Sequence, residues 1–367
     1  MRLHPVLLGL CIASALGACA TPRVAPPVVP TAASARTDTG VLEGARYRID
    51  VPANWNGELV MYAHGYEPVG SSRPGPLRQG GIARALLADG YAVAASAYSA
   101  EGWAVAEGIA DTERLRRHAS AFVGTPRRTW LVGASMGAQV ALALGEMQPR
   151  TYAGVLSLCG VNAPAGELFA DGVLAPLLAF DHLFPDVLPD APNGLADPTA
   201  PPMVDMDAIA AALASREADA QRLAQRFDIP REGLADSVWL YYLVLREAAA
   251  RAGGFPVDNR DTRYVGFGDD DAFNATVERH AGDPRAIAYV RANAGLTGKT
   301  RIPVVLQSND ADPTVPTRFG DRYAALANAA GAGRLVTNRP RVGQGHCDFE
   351  DTDIRAAMAE LSGQRVR

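Results

Sequence analysis

The chain is expected to fold as an α/β domain, a mostly parallel, doubly wound sheet with a helical cap inserted between core strands. Three observations lead there. Apolar strand-like runs alternate with helix-forming ones from residue 59 to residue 158, a pattern that implies parallel strands with helices on both faces. The pentapeptide Gly133-Ala134-Ser135-Met136-Gly137 stands where one such run gives way to a helix. After a long stretch without alternation, an apolar run returns at 302–307.

Taken in order, Leu42-Glu43-Gly44 and the period-two segment 46–51 read as an opening antiparallel hairpin. A buried strand follows at 59–63, then a Gly/Pro-rich loop at 70–76 and a helix near 78–89. The apolar run 91–96 is the next strand, and a helix near 104–122 leads on. Thr129-Trp130-Leu131-Val132 is short, apolar and partly β-branched, as a buried strand requires. Residues 136–148 are good helix formers closed by Pro149, and 152–158 is a further strand. Residues 161–298 then hold apolar-plus-proline segments (172–192), amphipathic helices (205–226 and 236–251), a polar loop (254–271) and more helix (272–294). That stretch is the expected cap, and 40–160 with 299–367 the expected core. No internal repeat is visible.

The amino terminus reads as an address. Residues 1–18 carry one arginine and then an apolar core too short to span a membrane, ending in Leu16-Gly17-Ala18 before Cys19. This resembles a bacterial lipoprotein signal, with Cys19 as the lipid anchor after cleavage; a plain signal cut near Ala18 or Ala20 is the alternative. Residues 19–39, rich in Pro, Ala and Thr, are the expected tether. An exported protein held at the bacterial cell envelope follows, secreted and soluble under the alternative. Lys and Arg total 35 against 40 Asp and Glu, a net charge of −5, or −6 once Arg2 leaves with the signal. The only lysine is Lys299. This mild acidic balance argues against nucleic acid as a partner.

The pentapeptide carries the chemistry. Its glycines let strand and helix approach closely, and the tight turn lifts the Ser135 hydroxyl above the sheet with a helix N-terminus beside it. A serine is a poor nucleophile without a base, and the base needs an orienting acid. Six histidines are present, and in the order serine, acid, histidine the base falls late. His346, in the glycine-flanked segment Gly343-Gln344-Gly345-His346-Cys347, meets that condition. His280 reads as a solvated residue of a helix at 271–281. The strand at 302–307 runs into Ser308-Asn309-Asp310-Ala311-Asp312-Pro313-Thr314-Val315-Pro316.

A strand followed by Asp312-x-x-Val315-Pro316 resembles the acid loop of the α/β-hydrolase superfamily. The resemblance spans about 41–362 and makes Asp312 the acid, with Asp310 as the alternative. Tyr62-Ala63-His64-Gly65-Tyr66 is similar to that superfamily's oxyanion turn, so the backbone N–H groups of Tyr66 and Met136 are the expected oxyanion donors. His64 is then a structural hydrogen-bonder. In such a sheet the ends carrying Cys159 and Cys347 share one edge, and a Cys159–Cys347 bridge pinning the histidine loop is expected. Trp103 is the expected pocket residue, with Trp239 of the set Trp239, Tyr241 and Tyr242 as a further candidate. Asp258, Asn259, Asp261, Asp269, Asp270 and Asp271 form an acidic cluster without the spacing of a calcium loop, and read as turn and cap residues. No cofactor and no metal is expected. The resemblance implies a serine hydrolase acting on a small-molecule carboxylic ester through Ser135, Asp312 and His346. Amide or peptide cleavage on the same fold, or a binding lipoprotein without catalysis, are the competing readings; oligomeric state is left open.

Overall fold

The structure is a computed structural model that describes residues 34–71, 80–189 and 194–363. The proposed signal, residues 1–18, and the anchor Cys19 lie outside the described residues.

Two strands open the fold, β1 (Arg36–Leu42) and β2 (Ala45–Val51), paired antiparallel from Arg36 opposite Val51 to Leu42 opposite Ala45. The tether boundary at residue 39 needs correction: 36–39 pair within β1, with Tyr47 donating to Asp38 and Thr37 to Asp50. The core continues with β3 (Glu58–Ala63), α1 (Gly81–Ala88), β4 (Ala92–Ser96), α2 (Val105–Val123), β5 (Arg128–Ala134), α3 (Met136–Met147) and β6 (Val155–Leu158). These bounds follow the sequence reading within a few residues. Between β6 and the next strand come α4 (Ala165–Glu167), running through a π-helical turn into α5 (Ala175–Leu183), then α6 (Met206–Ser215), α7 (Glu217–Phe227), α8 (Leu234–Ala252), α9 (Asp270–Thr276) and α10 (Pro284–Ala294). The chain closes with β7 (Val304–Gln307), α11 (Thr317–Gly320), α12 (Arg322–Ala329), β8 (Val336–Asn338) and α13 (Asp351–Ser362).

The eight strands form one sheet in the order β1-β2-β4-β3-β5-β6-β7-β8, parallel from β4 through β8 and antiparallel at β1, β2 and the β2–β4 pair. Both faces of the central strands β3 to β7 are buried, which explains their near-continuous apolar sequences. Alternation then sorts the side chains. Leu59 and Met61 of β3 join Leu131, Val155 and Leu306 in a core shared with α2, α3 and the inserted helices. Val60 turns the other way, to Leu86 of α1 and Ile354, Met358 and Leu361 of α13.

Three sequence expectations change. The helix expected at 205–226 is two helices, broken at Arg216. The helix expected at 272–294 is also two, because Asp283 caps a new start at Pro284 by accepting from the Arg285 and Ala286 amides. His280 therefore lies in the connection, and it is buried beside Phe255, not solvated.

Candidate active site

The turn at Ser135 is built by exclusion of side chains. A Cβ on Gly133 would stand 2.2 Å from the Gly137 carbonyl oxygen, and one on Gly137 only 2.1 Å from that of Ala63. Only glycines let β5, α3 and β3 meet this closely. Ser135 itself takes φ 56° and ψ −125°, a costly conformation for a non-glycine residue. The surroundings enforce it. Its amide donates to Leu158, and its carbonyl accepts from Ala138 and Val161.

Ser135 Oγ lies 2.9 Å from His346 Nε2. His346 Nδ1 lies 2.8 Å from Oδ2 and 3.0 Å from Oδ1 of Asp312. With the carboxylate on Nδ1, that nitrogen carries the proton and Nε2 is left as acceptor for the hydroxyl. Asp312 is buried, and the Thr314 and Val315 amides donate to its Oδ1 at 2.8 and 2.9 Å. Asp310, the alternative acid, is exposed and serves through its backbone. Its N–H donates to Gly343 and its carbonyl accepts from Gly345.

The histidine loop is held from three directions. Asp310 ties it as just described. Asn309, buried and overlooked in the sequence, donates through Nδ2 to Val342 at 2.9 Å and Asp348 at 2.8 Å. Cys347 is bonded to Cys159, which ends β6. The sequence carries no separate signal for Asn309, since an asparagine before an Asx-rich turn is ordinary turn chemistry.

Facing the serine is the turn after β3. A Cβ on Gly65 would lie 3.1 Å from Ser135 Cβ, so this glycine lets the turn sit against Ser135. The amides of Tyr66 and Met136 have no acceptor among the described residues. Met136 opens α3, where first-turn N–H groups have no partner within the helix. His64 is placed structurally: Nδ1 lies 2.8 Å from the Gly65 carbonyl and the ring stacks on Tyr98 at 4.0 Å.

Beside Ser135 is a cavity of about 70 Å³ lined by Tyr66, Trp103, Met136, Gln139, Leu240 and Tyr241, among others. Its wall is mostly apolar and, among the described residues, carries no charged side chain. Trp103 lines it; Trp239 does not, which corrects the second pocket expectation. One helix cannot present neighbours two apart to the same side. α8 turns Leu240, Tyr241 and Val244 to the cavity, while Trp239 packs half-buried elsewhere. The Tyr66 phenol donates to Glu247 at 2.7 Å. Burial, with that carboxylate, raises its pKa above the ordinary tyrosine value.

The acidic cluster is occupied by local bonds. Asp258 pairs with Arg260 and Asp271 with Arg263, while Asp269 caps α9 and Asp270 accepts from the Phe267 amide. Asn259 bridges the Glu278 carbonyl and the His280 amide.

No family model matches the chain, and no curated protein matches it. Solved structures do. A carboxyl esterase from Bacillus coagulans is 14% identical over 89% of this chain and 96% of its own, with a TM-score of 0.45. LipA, a rice cell wall degrading esterase from Xanthomonas oryzae, is 15% identical over 90% of both chains, with a TM-score of 0.44. Carboxyl esterase 2 from Tuber melanosporum is 13% identical over 90% of this chain and 85% of its own, at 0.45. The chain's own sheet, which exchanges β3 and β4 in its order and leaves β5 for a helix at Ser135, has the arrangement of the α/β-hydrolase fold.

Proposed function

We propose that the protein is a serine hydrolase that cleaves carboxylic esters through an acyl-enzyme. The observation that carries this is the unbroken relay from buried Asp312 through His346 to Ser135, at 2.8 and 2.9 Å. His346 Nε2 takes the hydroxyl proton as Oγ attacks the ester carbonyl. Asp312 holds the tautomer and stabilises the imidazolium. The developing oxyanion is received by the Tyr66 and Met136 amides, each of which can contribute about 3 kcal/mol to the transition state. Collapse expels the alcohol with the proton from His346, and the same nitrogen then activates water to release the acid. The cavity supports a small, uncharged group on one side of the scissile bond, since its wall offers no partner for a charge.

Fluorophosphonate labelling tests the reading. Ser135 is the expected site of the adduct, and Ser135→Ala is expected to abolish both labelling and ester turnover. A folded wild-type chain that neither labels nor turns over a series of short-chain and aryl esters would refute it. Matched ester and anilide substrates separate esterase from amidase, with the ester expected to be the faster.

The lipid-anchored, envelope location is proposed with it. It rests on the sequence of residues 1–35, and the Cys159–Cys347 bond suits an oxidising compartment. Cys19→Ser is expected to move the protein from the membrane to the soluble fraction; unchanged membrane retention overturns the anchor.

A further inference from the structure

Helix α8 belongs to the inserted segment, yet one of its faces touches both loops that complete the site. Ser237, Tyr241, Val244 and Glu247 follow one another at helical spacing on that face. Near its start, the Ser237 hydroxyl is bonded to the carbonyls of Gly233 and Pro313, and the Tyr241 hydroxyl to that of Thr314 at 3.3 Å. Pro313 and Thr314 directly follow Asp312. In the middle, Leu240, Tyr241 and Val244 wall the cavity beside Ser135. Ten residues on from Ser237, or about 15 Å along the axis, Glu247 reaches the loop after β3.

That contact is bidentate. Glu247 Oε2 accepts from the Tyr66 hydroxyl at 2.7 Å, and Oε1 from the Val69 amide at 3.0 Å. The neighbouring chain makes room for it: Gly102 has φ +76°, and a Cβ there would stand 2.5 Å from Glu247 Oε2. A second strut runs parallel to it. Arg251, one turn further along α8, donates to the Glu101 carbonyl at 2.7 Å, while the Glu101 carboxylate accepts from the Gly70 amide at 2.7 Å.

We propose that Glu247 is a positioning residue that sets, from the inserted helix α8, the loop whose Tyr66 amide receives the oxyanion. It touches no reacting atom. Its two bonds fix the side chain of Tyr66 and the backbone three residues on, and so determine where the Tyr66 N–H points relative to Ser135. The same helix face walls the cavity, so the group bound there and the oxyanion donor are registered by one rigid element. This inference rests on the hydrolase reading above.

The test compares Glu247→Ala, Glu247→Gln and Tyr66→Phe with wild type. The substrate is the best short ester, and the inhibitor is a trifluoromethyl ketone of the same acyl size. Addition of Ser135 Oγ to that ketone forms the C–O bond and passes the hydroxyl proton to His346, and the former carbonyl oxygen becomes the oxyanion. Losing an oxyanion donor outright costs on the order of 10²- to 10³-fold. Misplacing one is expected to cost about 10- to 100-fold in kcat for Glu247→Ala, with KM held within about twofold. Ketone affinity is expected to fall by the same factor as kcat/KM. Glu247→Gln keeps an acceptor for the Val69 amide and a polar partner for the Tyr66 hydroxyl, and is expected to recover most of the loss. Tyr66→Phe removes one of the two bonds while leaving the backbone amide, and is expected to give a smaller loss of the same kind.

An unchanged kcat in Glu247→Ala overturns the proposal. So does a loss of thermal stability with ketone affinity unmoved, which would make the contact merely structural. If Glu247→Ala does not fold, Tyr66→Phe decides: no change in kcat or ketone affinity overturns the proposal equally. A wild-type chain that fails to label at Ser135 overturns the hydrolase reading and this inference with it, an outcome distinct from a labelled wild type and an indifferent variant.

Discussion

Replacing both Cys159 and Cys347 by serine should lower stability and slow turnover, and the two effects have different origins. The bond joins residues 188 apart in sequence. In the chain-entropy account, closing a loop that long removes about 18 cal/mol/K from the unfolded ensemble, about 5 kcal/mol at 25 °C. Spread over the unfolding entropy of a domain this size, roughly 0.7 kcal/mol/K, the loss corresponds to about 7 °C in Tm as an upper figure. Native disulfides commonly deliver less, because the unfolded chain is not structureless. Catalysis responds to a local effect. Cys347 adjoins His346, and Cys159 directly follows Leu158, whose carbonyl accepts the Ser135 amide. Cutting the bond removes one of three ties on the histidine loop and leaves those of Asn309 and Asp310. A loss of about 10-fold in kcat is therefore expected at 25 °C, far short of the loss from removing the histidine. The assay is a melting curve with and without reductant, paired with initial rates well below the transition. Alkylation of the unreduced, denatured protein should find neither cysteine free. If Tm and kcat both match wild type in the double variant, the reasoning fails. A lower Tm at unchanged kcat would retain the entropic argument and remove the claim that the bond positions His346.

Asp312→Asn should cost about 10⁴-fold in kcat with little change in KM. The Asn oxygen would stay with the Thr314 and Val315 amides, turning its NH₂ toward His346 and imposing the wrong tautomer; steady-state kinetics on the folded variant check this. Gly137→Ala, which would put a methyl group 2.1 Å from the Ala63 carbonyl oxygen, should destabilise by about 3 kcal/mol or prevent folding. Gly166→Ala, with open space around it, should be close to neutral in the same denaturant titration. A pH effect is expected at Glu113, where burial opposes ionisation but hydrogen bonds from Arg116 and Tyr152 bring its pKa below the ordinary 4.5. Its stabilisation is then complete above that unfolded value and lost as pH falls through the lower folded one. Glu113→Gln should flatten the acid side of a Tm-against-pH curve, and an unchanged slope would count against the assignment.

What could be read from the chain alone divides along a physical line. The sheet was legible because each core strand is buried on both faces and must be apolar throughout. The turn at Ser135 was legible because its backbone geometry admits only glycine at Gly133 and Gly137. Asp312, His346 and Cys347 sit on loops whose residue types are fixed by chemistry, so their identities survive without knowledge of packing. The inserted segment obeys weaker rules. Its helices are amphipathic, and periodicity assigns an inward face without saying what lies inward. The sequence singles out Trp239 from the set Trp239, Tyr241 and Tyr242, and only the phase of α8 against the cavity selects Tyr241 instead. The breaks at Arg216 and Asp283 went unread for a similar reason, since helix-forming residues on both sides outweigh a single cap. Asn309 and Glu247 were invisible on a further ground. Each acts through bonds to backbone or to one hydroxyl tens to hundreds of residues away, and such partners leave no local pattern. The division predicts where relatives of this fold should differ: the proposed relay answers to reaction chemistry and is confined, and Tyr241 also holds the loop after Asp312, whereas Leu240 and Val244 of the wall answer to the group it encloses. Altering selectivity should therefore begin at Leu240 and Val244, stopping short of Glu247, where the wall gives way to the proposed oxyanion support.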